Sequence, residues 1–482
     1  MTLCLLALML AAGVNAQVGE MESYKQGKGL AKTFEPQFIG SDGQQAVFVQ
    51  MAGRTKKKAE LVSYNMDQKE LGRVRLTEND DLRCYGGYLN ASGIDLLMAE
   101  WKGDDMKVYR DRRDKATLQP QGEPLVLSEY HGSKGDKMAF TIQPSANEEL
   151  LAGIYIIGRE GQPVEMQVGL YSRELEEYWK MDTRCRKLDF VYVTDSGEVL
   201  IGGYNNPGKF TVTVLDGENE TNYDFEENFG TISEARIARY AKGKIYIVLA
   251  HSGRTKNEIH PMVDYIASLC YDTKRQENTV DKHVITKVEY NRLNNNFKDD
   301  SKVKNVMSNK KDDYRVVFFS LNQVMPDKDG CYAMFDQSWR VTVNGTPSEW
   351  NRYGMMVARI GNDGKFEWVN TFRIYGPSVW SSRSMSGYRW VRTANGPMLV
   401  WAEAKNKKEI PDDEQVKVYT PMNSAGMLTA ALLDSDGSMV RQHFEMPAKQ
   451  SLMGHPHKLD NGDYLLFIRG KSQGYFAKLK LK

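Results

Sequence analysis

One short unit recurs eight times along this chain, and that repetition limits the possible folds more tightly than any average property does. Each copy runs from a polar turn, usually ending in Gly, into an apolar stretch. A variable segment, a second alternating stretch and another polar turn complete it. The first turns are Asp42-Gly43, Ser92-Gly93, Asn147-Glu148, Ser196-Gly197, Lys242-Gly243, Asp329-Gly330, Asn395-Gly396 and Asn461-Gly462. The seven steps from Gly43 to Gly462 average about 60 residues. A fixed period of this kind marks an architecture in which each unit buries its apolar faces on its neighbours.

The apolar stretches beyond the turns make the repeat specific. The first of each unit read AVFVQ, IDLLMAE, LLAGIYII, VLIGG, IYIVLAH, CYAMFD, MLVWAE and YLLFIR. The second read AELVSY, MKVYRD, MQVGLY, KFTVTVL, DYIASLCY, MMVARI, MLTAALL and YFAKLKL. These are short β-rich runs bounded by turn residues, and helical periodicity is nearly absent, so the class is all-β. Within a unit, strand A precedes the first turn, strands B and C are the two apolar stretches, and strand D comes after the second turn, as in Lys365 to Phe372 after Asn362-Asp363-Gly364. The eighth unit reaches Lys482 without a strand D, whereas the segment from Val18 to Lys32 precedes the first strand A and is free to supply one. Supplying one blade from both chain ends closes a ring and removes an open sheet edge. The expectation is a single β-propeller of eight four-stranded blades. Seven blades are the alternative if the long interval between units five and six hides a miscount, and a pair of β-sandwiches is the remaining one.

The succession of polar-Gly turn, apolar strand, loop, strand, Asp-Gly and aromatic, as in Gly364-Lys365-Phe366-Glu367-Trp368, resembles the degenerate, quinoprotein-like blades of exported bacterial propellers, in the style of Bacteroidota. The resemblance covers nearly the whole chain after the first residues and implies an exported propeller. It departs from the sialidase pattern: an Asp box needs Ser-x-Asp-x-Gly-x-Thr-Trp, but Asp363 and Gly364 are adjacent here.

Residues 1–16 form an apolar run broken at Gly13, with Val14 and Ala16 at the −3 and −1 places of a signal-peptidase site. The reading is a signal peptide over 1–16, cleavage before Gln17, and a propeller domain over 17–482 in the periplasm, at the cell surface or secreted. No later run approaches the ~18 apolar residues of a membrane span. Beyond Cys4, the cysteines are Cys84, Cys185, Cys270 and Cys331, without metal-knuckle spacing. Two bridges are conceivable, but their apolar, strand-like surroundings favour core thiols.

Lys and Arg number 64 against 63 Asp and Glu, a net charge of +1, so no overall field draws in nucleic acid or an anionic membrane. The chain shows no nucleophile elbow, HExxH, Walker loop or full dinucleotide fingerprint. Those absences leave room for a glycosidase, which needs only two suitably placed carboxylates. No cofactor is called for. His455 and His457, two apart on an expected strand A, share a face there and are the weak candidates for a metal; a structural pair is the simpler reading. The pairs Asp327, Asp329 and Asp434, Asp436 read as tight turns rather than calcium loops.

Long insertions point to a site. They fall over 252–263, 289–315, 337–354, 375–387 and 404–426, all B–C or D–A connections of units five to seven, which a propeller gathers into one wedge on one face. Six of the eight tryptophans lie between 339 and 401. Trp368, Trp390 and Trp401 read as packing between blades. Trp339, Arg340, Trp350, Arg352, Trp380 and Arg383, with Tyr388 just beyond, are the ligand-binding candidates, because their polar surroundings favour aromatic platforms at a surface. The segment 289–315 reads as a polar, solvated excursion. The function expected is non-catalytic binding of a glycan, peptide or envelope protein through this wedge. The alternative is a carbohydrate-active enzyme, a hydrolase or lyase, using carboxylates on the same face.

Overall fold

The computed structural model describes residues 20–25, 37–52, 58–67, 69–76, 82–132, 137–158, 163–186, 188–205, 208–225, 228–230, 232–252, 262–294, 316–317, 319–343, 346–373, 379–380, 389–393, 396–404, 426–446, 451–459, 462–469 and 474–480. They form eight antiparallel sheets built on four strands each, the blades of a β-propeller, and in the blade-five and blade-six sheets a short fifth strand pairs alongside. Blade one, for example, runs Gln37–Ser41, Gln45–Ala52, Lys58–Asn65 and Glu70–Arg75. Eight blades, and neither seven nor a sandwich pair, account for the repeat.

The apolar strands are buried on both faces because each blade packs between two others. Leu61 faces the core between blades one and two, while its neighbour Val62 faces the core between blades eight and one. Leu96 and Leu97 divide in the same way between the cores on either side of blade two. Successive side chains of a strand point to opposite faces, so a strand in this position needs apolar residues without alternation. Eight such inter-blade cores occur among the described residues, one for each adjacent pair. Strand D lies at the rim and is correspondingly polar, as in the exposed run Glu220–Asp224.

Blade eight contains Ser451–Lys458, Tyr464–Arg469 and Gly474–Lys480, and its fourth strand is Glu20–Lys25 from the other end of the chain. That strand pairs from Glu20 opposite Lys480 to Lys25 opposite Tyr475. Around it, Phe48 of blade one stacks on Phe476 of blade eight at 4.9 Å.

Turn chemistry agrees with the repeat. In the third unit, which lacks the turn glycine, Glu148 takes up a φ of 61°, close to the 78° of Gly43 in the first. Asp434 and Asp436 are turn residues: the Gly437 amide donates to the Asp434 carbonyl, and the Ser438 amide donates to Asp436 at 2.8 Å.

Two of the expected loops contain regular structure. The segment 289–315 is not solvated throughout, because it continues a helix, α1 (Lys287–Asn294). Thr286 and Glu289 form a reciprocal cap: the Thr286 amide donates to the Glu289 carboxylate at 2.8 Å, and the Glu289 amide donates to the Thr286 hydroxyl at 3.3 Å. Leu293 of α1 is fully buried in the core between blades five and six, and Gly354 leaves the space it occupies. The segment 337–354 is also not a loop. Strands Gly330–Val343 and Thr346–Gly361 continue the blade-six hairpin through it. Most of 252–263, 375–387 and 404–426 lies outside the described residues.

Cys84, Cys185, Cys270 and Cys331 are thiols in no disulfide, and Cys185, Cys270 and Cys331 are buried. Burial pushes the thiols of Cys84 and Cys331 up to about 12, so both stay protonated at neutral pH. Trp401 and Trp390 are core residues between blades six and seven, while Trp368 is half-buried beside them. No helix among the described residues is long and apolar enough to cross a membrane.

Candidate functional site

Backbone pairing places most of the sequence candidates on a three-stranded sheet projecting from blade six. Ser338 pairs with Arg352, Trp339 with Asn351, Arg340 with Trp350 and Val341 with Glu349. A two-residue strand, Val379–Trp380, adds alongside, with Trp380 opposite Glu349 and Val379 opposite Trp350. Paired residues share a face and the face alternates at each step. Arg340, Trp350 and Arg352 therefore belong to one face of the extension, and Trp339 and Trp380 to the other. The three tryptophans do not make one continuous row, since the strand period of two separates Trp350 from the other pair. Arg383 and Tyr388 lie outside the described residues.

The side chain of His455 lies outside the described residues, and the register of Ser451–Lys458 shifts between Met453 and His457. His457 stacks on Phe38 of blade one at 4.4 Å, a packing role across the ring closure. No group of three or more His, Cys, Asp or Glu among the described residues is arranged to hold a metal ion.

Near the wedge, the B–C end of blade five carries a histidine held by a carboxylate. His251 Nδ1 lies 2.6 Å from Asp264 Oδ1, and the ring stacks on Tyr265 at 4.2 Å with an interplanar angle of 7°. The Nε2 side faces Gly230, where even a β-carbon would stand 3.7 Å away. The Asp264 carboxylate and the stacked Tyr265 ring orient the imidazole with Nε2 on the side away from Asp264.

Cavities lie elsewhere, along the channel enclosed by the A strands. One of about 600 Å³ is bounded by strand-A residues of blades three to six, including Phe190, Arg236 and Val324. A second, of about 490 Å³, opens at the A–B turns of blades four to seven. Tyr192 and Pro326 border both. The second is lined by Arg239, Lys328 and Arg392 together with Tyr192, Tyr240 and Tyr332. Burial raises all three phenols, Tyr192 to about 12, so they remain hydrogen-bond donors at neutral pH.

These cavity residues were not among the sequence candidates, because they come from four blades and meet only when the ring forms. One signal was available: Arg239 and Arg392 each stand four residues before the turn glycine of their unit, Gly243 and Gly396.

No protein-family model matches the chain, and no curated protein matches it. Solved structures do. The chain is similar to a polysaccharide lyase, Uly1, at 9% identity over 96% of this chain and 93% of that one, with a TM-score of 0.42. It is similar to an oligogalacturonate lyase in complex with manganese at 11% identity, over 96% and 98% of the two chains, with a TM-score of 0.36. A match to a prolyl endopeptidase has 12% identity and a TM-score of 0.38; it covers 76% of this chain and spans only 45% of the endopeptidase. At these values the likenesses carry no argument about chemistry.

Proposed function

We propose that this chain is an exported, non-catalytic propeller that binds a glycan, peptide or envelope protein through the blade-six extension and the neighbouring long connections of blades five to seven. The observation that supports this reading is the pairing that brings Trp339, Arg340, Trp350, Arg352 and Trp380 together on one short sheet projecting from a rigid scaffold. Aromatic and arginine residues are enriched where binding energy concentrates, and a paired extension loses less conformational freedom on binding than an unstructured loop. The test is retention of the purified protein on insoluble chitin, cellulose and peptidoglycan, compared with the Trp339→Ala, Trp350→Ala and Trp380→Ala variants. Retention of the parent that falls at least tenfold in a variant of unchanged melting temperature supports the reading. Equal retention of all four proteins, or no retention of any, counts against it.

The enzyme alternative has one observation of its own: His251, oriented by Asp264, lies at the same end of the propeller as the extension. An imidazole oriented by a carboxylate is of a kind suited to removing or delivering a proton. Release of reducing ends from the same polysaccharides, abolished by His251→Ala, is the result that favours catalysis over binding alone.

A further inference from the structure

We infer that the mouth of the central channel at the A–B turns of blades four to seven is a second binding site, for a small organic anion carrying a carboxylate or phosphate group. It lies at the opposite end of the channel from the blade-six extension and does not depend on the function proposed for that extension.

The charge distribution carries the inference. Arg239 is 9% exposed, and its guanidinium donates to Asn362 Oδ1 at 2.6 Å and to the Lys328 carbonyl at 2.8 Å. Both acceptors are uncharged. Arg392 donates to the Pro326 carbonyl, another uncharged acceptor. Two carboxylates, Asp195 and Asp327, also line the cavity against its three cations; Asp327 pairs with Arg359, outside that set, at 2.9 Å, and Asp195 accepts the neutral Asn147 amide at 3.0 Å. A buried cation is costly without a counter-charge, and here Arg239, Arg392 and Lys328 border a common cavity.

Shape and chemistry define the class of ligand. A guanidinium presents its N–H groups in a planar fork that matches the paired oxygens of a carboxylate or phosphate. Of the five N–H groups that an arginine carries, two on Arg239 are used by the protein. The space of about 490 Å³ suits a small molecule. Tyr192, Tyr240, Tyr332, Pro326 and Pro397 on its walls favour a body with an apolar or planar face over a bare inorganic ion.

Isothermal titration at constant ionic strength tests this with three probes: benzoate, phenyl phosphate and uncharged benzyl alcohol. Saturable binding of benzoate, phenyl phosphate or both is expected, at least tenfold tighter than benzyl alcohol, and the better anion tells a carboxylate ligand from a phosphate one. Arg392 is exposed, so Arg392→Ala should fold normally and weaken the better anion about tenfold or more, the size expected for losing a hydrogen bond to a charged group. Arg239→Lys keeps the charge but loses the fork and should weaken it as well. Binding unchanged in Arg392→Ala, equal affinity for benzyl alcohol, or saturable binding of neither anion overturns the inference.

Discussion

A β-carbon on Gly364 would lie 2.3 Å from the β-carbon of Cys270. Gly364 belongs to the C–D turn of blade six and Cys270 to strand C of blade five, so the turn presses directly against the neighbouring blade. The contact recurs around the ring with different partners. Gly437 of blade seven meets Trp368 of blade six, and Gly217 of blade four meets Trp179 of blade three. At these C–D turns the glycine therefore serves two purposes: it reverses the chain, and it lets adjacent blades approach.

Gly364→Ala should be strongly destabilising. The residue has a φ of +81°, which disfavours any β-carbon, and the new methyl group would overlap Cys270. Together the backbone and packing costs come to about 2 to 5 kcal/mol. Urea unfolding measures this, and a loss below about 0.5 kcal/mol, the scale of an ordinary surface substitution, would show that the blades separate easily at this turn.

Trp368 joins blades six and seven through its indole N–H, which donates to the Ser435 carbonyl at 2.8 Å. Trp368→Phe keeps most of the ring but loses that bond and should cost about 1 kcal/mol. Trp401→Ala, by contrast, empties a fully buried site and should cost about 3 to 5 kcal/mol. The order of the two melting temperatures checks the assignment, and a reversed order contradicts it.

Acid stability should depend on Glu289. Burial alone would raise its carboxyl, but hydrogen bonds from His283 and Thr286 outweigh burial and hold it below the usual carboxylate range. A carboxylate lowered in the folded state stabilises above its unfolded pKa, about 4.3, and that stabilisation disappears as pH falls through the folded value. Glu289→Gln can still cap α1 but has no charge to lose. Its unfolding free energy should fall less than that of the parent between about pH 5 and pH 3. Parallel acid profiles would contradict the account.

The proposed export makes a separate prediction. With the apolar run and the Val14/Ala16 pair, the signal peptide proposed for this chain is expected to be cleaved before Gln17. Intact mass of the protein from the extracytoplasmic fraction should begin at Gln17, and a mass that includes Met1 to Ala16 would refute it.

The repeat was legible because a blade buried on both sides needs unbroken apolar strands such as IDLLMAE, and turns announce themselves through Asp, Asn and Gly. The continuation of the blade-six hairpin was harder to read. Residues such as Ser338, Pro347 and Asn351 look like loop, yet the strands carry on past the core. Helix α1 had a signal in Thr286-x-x-Glu289, a capping box that the polar Asn and Lys residues beyond it obscured. The channel-mouth cavity could not be read from any one unit, because Asp195, Arg239, Lys328 and Arg392 become neighbours only through closure of the ring.

Ring closure by the first and last strands is the central feature of the fold, and one cross-link tests it. Glu22 stands directly opposite Lys478 in the pairing of the first and last strands. Residues opposite one another have Cα atoms about 4.5 to 5.5 Å apart, within disulfide reach. The double variant Glu22→Cys, Lys478→Cys should form an intramolecular disulfide on mild oxidation, detected by peptide mass spectrometry. Glu22→Cys with Tyr475→Cys, three residues out of register and roughly 10 Å away along the strand, should not. Cross-linking of the first pair alone is the predicted result; no cross-link between positions 22 and 478, or equal cross-linking of both pairs, would contradict a ring closed by these strands.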